Sequence, residues 1–138
     1  MSRPRILVVE DNAADIELLR FALDRQGDYV LEVLEDGEQA LRFVAEHRAG
    51  LHPPDPCVIL LDVHLPKYDG LEILDALKQA GTLRHIQVIV MSSVASPEEE
   101  AEIRSKGAIY RTKPVTLKKF LELGAEIFAL CNEAVAAA

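Results

Sequence analysis

Short apolar runs alternate along the chain with segments whose apolar residues recur at helical spacing. The runs read as strands over Arg5 to Glu10, Tyr29 to Leu34, Val58 to Leu61, Val88 to Met91 and Ile109 to Thr112. The segments between and after them read as helices over Ala13 to Arg25, Gly37 to His47, Leu71 to Ala80, Pro97 to Lys106 and Leu117 to about Asn132. Asn12, Asp36, Ser96 and Thr116 stand where N-caps belong, Pro97 suits a first helical turn, and Gly27 and Gly107 stand at helix exits. Strand and helix in strict alternation predict parallel strands joined by right-handed crossovers, a (βα)5 α/β fold. The proline-rich stretch Arg48 to Pro56 cannot continue a helix and reads as an extended connection on the side of the sheet away from any site.

Polar residues close four of the five runs at their carboxyl ends. Glu10 and Asp11 close the first apolar run, Asp62 the third, the Ser92-Ser93 pair the fourth and Lys113-Pro114 the fifth. Open α/β sheets place ligands at the carboxyl ends of their strands, and burying carboxylates there is costly unless they serve a site. With strand order 2-1-3-4-5, the first and third strands are neighbours at the topological switch point, so Glu10, Asp11 and Asp62 converge. Three such acids repel one another unless a cation neutralises them, and an all-oxygen set suits Mg²⁺, with Mn²⁺ as its substitute. Without metal, at least one carboxyl group is expected to hold its proton unusually tightly. The same acids argue against a flavodoxin-like FMN site.

Composition narrows the class. A chain of 138 residues, 49% hydrophobic and 28% charged, fits one globular domain spanning 1–138, with no output domain expected. A net charge of −8 without a basic cluster opposes nucleic-acid binding. The start lacks a signal-peptide pattern and no apolar run reaches membrane-spanning length, so no membrane association and a cytoplasmic location are expected. Cys57 and Cys131 have no metal-type spacing and read as half-buried core thiols.

Taken together, Val9-Glu10-Asp11-Asn12, Leu61 to Gly70 around Asp62, Met91-Ser92-Ser93, Gly107-Ala108 and Lys113-Pro114 resemble the receiver domains of two-component response regulators, over essentially the whole chain. The resemblance implies that Asp62 is the phosphoacceptor, Asp11 a direct Mg²⁺ ligand, Glu10 a ligand directly or through water, and the main-chain carbonyl of His64 the remaining protein ligand. It also implies that Ser92 engages the phosphoryl group, Lys113 pairs with it, and Tyr110 is the switch aromatic. The interval from Gly107 to Lys113 is a residue shorter than in many receivers, which leaves the register of the fifth strand open. Val9 to Ile16, the proline-rich loop and Leu65-Pro66-Lys67 are similar to regulators partnered with bacterial phytochromes.

The expected function is a stand-alone receiver phosphorylated by a sensor histidine kinase and signalling to an unknown downstream protein. It is not an enzyme beyond self-directed phosphotransfer and autodephosphorylation. Two rivals are a Mg²⁺-dependent phosphohydrolase, which wants a second acid where His64 stands, and an unphosphorylated pseudo-receiver, which would normally lack one of the acids or the lysine. On the first helix Leu19, Ala22 and Leu23 form the core arc, with Ala14, Leu18 and Phe21 beside it as a stripe for a kinase. The last helix has an apolar face wider than one core contact needs, so a homodimer is expected through the fourth helix, fifth strand and fifth helix, with Leu121 and Phe128 against the mate. Asp69-Gly70 reads as a turn in which glycine permits a backbone angle that other residues resist.

Overall fold

The computed structural model describes residues 3–48, 55–64, 69–81, 86–94 and 96–137. Strands β1 (Arg5–Val9), β2 (Val30–Leu34), β3 (Val58–Asp62), β4 (Gln87–Ser92) and β5 (Ile109–Thr112) alternate with helices α1 (Ala13–Asp24), α2 (Gly37–Arg48), α3 (Gly70–Gln79), α4 (Pro97–Ser105) and α5 (Leu117–Ala137). All strand pairs are parallel, in the order β2-β1-β3-β4-β5. The expected α/β architecture and strand order are therefore observed, with boundaries shifted by a residue or so and α5 running further than Asn132. Among the described residues no helix is long and apolar enough to cross a membrane.

Strand periodicity explains why the central strands β1, β3 and β4 are apolar through their interiors, whereas the half-buried edge strands carry Glu32 and Arg111. Ile6 and Val8 point into a core with Leu19 and Leu23 of α1 and Leu123 and Ile127 of α5. Leu7 and Val9 point the other way, to Phe43 of α2, Ile73 of α3 and Ile103 of α4. Both faces are covered, so successive residues must all be apolar. The four expected caps accept amide hydrogen bonds: Asn12 from Asp15, Asp36 from Gln39, Ser96 from Glu99 and Thr116 from Lys119. Gly27 and Gly107 leave their helices at φ of 145° and 89°, in the region that favours glycine.

Three expectations need correction. Asp69 is the N-cap of α3, and Gly70 is required by space rather than by backbone angle: a Cβ there would stand 2.6 Å from the carbonyl oxygen of Asp62 and 2.7 Å from Cα of Val63. Cys57 and Cys131 are not separate thiols but a disulfide, tying the residue before β3 to α5 across 74 positions. Phe128, expected against a mate, packs within its own chain: its ring meets Tyr29 edge-on at 6.5 Å and lies beside Gly27. Leu121, seven residues earlier, shares that side of α5. The wide apolar arc exists because α5 packs against both the sheet and α1, whose Ala22 lies 3.1 Å from where a Cβ of Gly124 would be. Most of the proline-rich connection lies outside the described residues. At its ends His47 Nε2 lies 2.9 Å from Asp55 Oδ1.

Candidate functional site

The register of the sheet brings the strand-end residues together. Val9 pairs with Leu61, Asp62 with Met91 and Ser92 with Thr112, so Glu10, Asp62, Ser92 and Lys113 follow one another around the carboxyl end. Glu10 and Asp62 are 2% and 3% exposed, and Asp11 is exposed at the rim. Carboxylate oxygens of Glu10, Asp11 and Asp62 all lie within 4.8 Å of one another. That donor set fits a hard divalent cation such as Mg²⁺ or Mn²⁺.

Lys113 reaches into the same crevice. Its Nζ is 2.7 Å from Asp62 Oδ2, 2.7 Å from Glu10 Oε1 and 3.2 Å from Asp15 Oδ2. The lysine amide also donates to the carbonyl of Ser92 at 3.0 Å, which fixes the end of β5 despite the short interval from Gly107. Asp62 keeps its other oxygen on the amide of His64 at 2.9 Å, and Glu10 Oε2 accepts from the amide of Asp11 at 3.0 Å. The His64 side chain is exposed, and residues 65–68 lie outside the described part of the chain.

One cation serves three acids, so the charges are not balanced. Burial, reinforced by Asp62 and opposed by the hydrogen bond to Lys113, raises the Glu10 carboxyl to about 7. This is the expected tightly held proton. Burial alone would lower the Lys113 ammonium, yet its hydrogen bonds to Asp62 and Glu10 win and raise it. The ammonium therefore remains charged at neutral pH, and the unsettled proton is that of Glu10.

Ser92 is fully buried, and its hydroxyl finds no hydrogen-bond partner among the described residues. An unpaired buried hydroxyl costs on the order of 1–3 kcal/mol, so a strand-end hydroxyl left this way is suited to meet an incoming group. Tyr110 is half-buried against the α2–α4 side core, with the Arg104 guanidinium 5.9 Å from its ring centre. The structure thus assembles Glu10, Asp11, Asp62, Ser92 and Lys113, and leaves Tyr110 to the side. Asp15 is the residue that sequence reasoning missed as a partner of Lys113. Its place in the first helical turn after Asp11 was the available signal.

The chain matches the response regulator receiver domain model over residues 6–123. It is 34% identical over 118 residues to the polar-differentiation response regulator DivK of Brucella anthropi, covering 85% of this chain and 89% of that protein. The Mn²⁺-bound form of response regulator Rcp1 superposes with a TM-score of 0.77 at 32% identity, covering 91% of this chain and 92% of the other. The bacteriophytochrome response regulator AtBRR does so with a TM-score of 0.68 at 34% identity, covering 94% and 95%. Fold, site composition and these likenesses agree: the chain belongs to the response regulator receiver domains, the phosphoryl-accepting components of two-component signalling.

Proposed function

We propose that Asp62 is the phosphoacceptor of this receiver, with Glu10 and Asp11 as Mg²⁺ ligands and Lys113 and Ser92 as the groups that receive the phosphoryl oxygens. The observation that carries this reading is a buried strand-end carboxylate with an ammonium at 2.7 Å and two further acids within ligand distance. A carboxylate oxygen of Asp62 attacks phosphorus, the P–N bond to the kinase histidine breaks, and the imidazole leaves with its electron pair. The product is an acyl phosphate. Glu10, Asp11, Asp62 and the His64 carbonyl would hold a divalent cation, which would supply the charge that offsets the incoming phosphoryl group. Lys113 exchanges Asp62 Oδ2 for a phosphoryl oxygen, Ser92 turns its unpaired hydroxyl to the same group, and Tyr110 responds to that movement.

The donor we propose is a cytoplasmic sensor histidine kinase of the bacterial phytochrome type, a reading supported by the likeness to AtBRR. The likeness to the response regulator DivK supports a receiver that passes its signal through protein contacts. Leu18 and Phe21, 37% and 41% exposed on α1 beside the crevice, are the apolar contacts for the kinase. For the homodimer we retain the α4, β5 and α5 face, and sedimentation across the micromolar range should show a dimer.

Labelled acetyl phosphate with Mg²⁺ tests the acceptor. Wild type should incorporate acid-stable, base-labile label, and Asp62→Asn none while keeping its circular dichroism spectrum. Equal labelling of the variant would move the acceptor elsewhere.

A further inference from the structure

We propose that Asp15 is a positioning residue for phosphoryl transfer, holding the Lys113 ammonium in the crevice while its two nearer carboxylate partners are engaged elsewhere. The inference rests on the assignment of Asp62 and Lys113 given above.

Lys113 Nζ contacts three carboxylates, and they are not equivalent. Glu10 and Asp62, both at 2.7 Å, belong to the group whose oxygens can hold a cation; Asp15, at 3.2 Å, lies outside it. Glu10 must share its charge with any ion bound there. Asp62 loses its negative charge altogether on becoming an acyl phosphate, because one oxygen is then esterified and the other is a carbonyl. Asp15 has neither demand upon it and keeps a full carboxylate through the reaction. Of the three, it alone can hold the ammonium by the same interaction before and after transfer.

Its placement suits this task. Asp15 stands in the first turn of α1, where its amide donates to the capping side chain of Asn12 at 3.1 Å, so its backbone is fixed by the helix. Its side chain is 25% exposed and that of Lys113 16%, which limits screening of the pair. A lysine stem is flexible, and its ammonium is a point charge that follows the strongest available anion. Without Asp15, a Lys113 released from Asp62 has the solvent as an alternative to the phosphoryl oxygens. With Asp15, the ammonium is retained within reach of them.

A double-mutant cycle separates this role from a general effect of charge or helix stability. Beryllofluoride affinity in saturating Mg²⁺ is measured by titration calorimetry for wild type, Asp15→Asn, Asp15→Glu, Lys113→Ala and the Asp15→Asn/Lys113→Ala pair. Asp15→Asn should bind about fivefold more weakly, the scale of one partly exposed ion pair. Asp15→Glu should recover part of the loss, and in the Lys113→Ala background Asp15→Asn should change nothing further. Unchanged or tighter binding by Asp15→Asn, or an equal loss with and without Lys113, would overturn the inference. Failure of wild type itself to bind would overturn the Asp62 assignment and this inference with it, a result recognisable because Asp15 plays no part in it.

Discussion

At its carboxyl end β3 presents Asp62 to two further acids and a lysine; at its amino end Cys57 is bonded to Cys131 and its amide donates to the Arg5 carbonyl at 2.8 Å. The first end is under-compensated charge: a glutamate 2% exposed holds its proton up to about pH 7, and a buried serine hydroxyl lacks a partner. The second is covalently closed, with Cys131 in the same buried core as Ile6, Val58, Leu60 and Ile127. Repulsion that destabilises the apo protein at one end favours a divalent cation there, and it opposes an incoming phosphoryl group until that charge is offset. The other end holds the strands in place while those charges change.

The largest expected effect tests that division. Opening the disulfide with a reductant, or by Cys131→Ser, should cost roughly 4 kcal/mol, the loop-closure value for a crosslink spanning this separation. For a domain of this size that lowers the melting temperature by about 10 °C or more. Mg²⁺-dependent beryllofluoride binding at temperatures where the protein stays folded should not change. Loss of binding on reduction would show that the two ends are coupled. In a reducing cytoplasm the open pair is the form to expect.

Next in size is Gly70→Ala. The new methyl group must push on the backbone of Asp62 and Val63, at about 1–3 kcal/mol for an overpacked site, and should slow acetyl phosphate labelling as well as lower the melting temperature. Labelling at the wild-type rate would mean that the loop yields without disturbing the site.

Metal affinity should depend on pH. Glu10 in the folded chain titrates near 7 rather than 4.5, so a cation binding to its carboxylate displaces a proton below that point. Mn²⁺ affinity should therefore rise about tenfold from pH 6 to pH 8 and then level off. The linked stability effect has the opposite sign. Between about 4.5 and 7 the folded state binds more protons than the unfolded one, so the stability contributed by this group falls as pH rises. A flat affinity profile would place the retained proton elsewhere.

The smallest effect ranks the two rim acids. Asp11→Ala should weaken Mn²⁺ binding a few-fold more than Glu10→Ala, because Glu10 already gives one oxygen to Lys113 and the other to the amide of Asp11. The reverse ranking in a metal titration would exchange their roles.

The functional end was legible in the sequence because, in the central strands β1, β3 and β4, polar residues stand only at the strand ends. Each of Glu10, Asp62, Ser92 and Lys113 could be placed by counting along its own strand. The opposite end was not legible in this way. Cys57 and Cys131 become neighbours only when α5 returns across β3, and spacing along the chain carries no trace of that crossing. Gly70 was read as a backbone-angle residue, since close approach of another segment cannot be seen from its own neighbours. Phe128 was assigned to a mate because the single-stripe rule fits a helix on a sheet. A helix wedged between a sheet and a second helix buries a wider arc, and α5 is such a helix.

Binding of beryllofluoride with Mg²⁺, and again in excess chelator, addresses the central claim most directly: a carboxylate crowded by two other acids accepts a phosphoryl group only when a cation offsets their charge. Fluorine resonances of the bound form should appear with Mg²⁺ in wild type, vanish in chelator and be absent from Asp62→Asn. Equal binding with and without the cation would contradict the account.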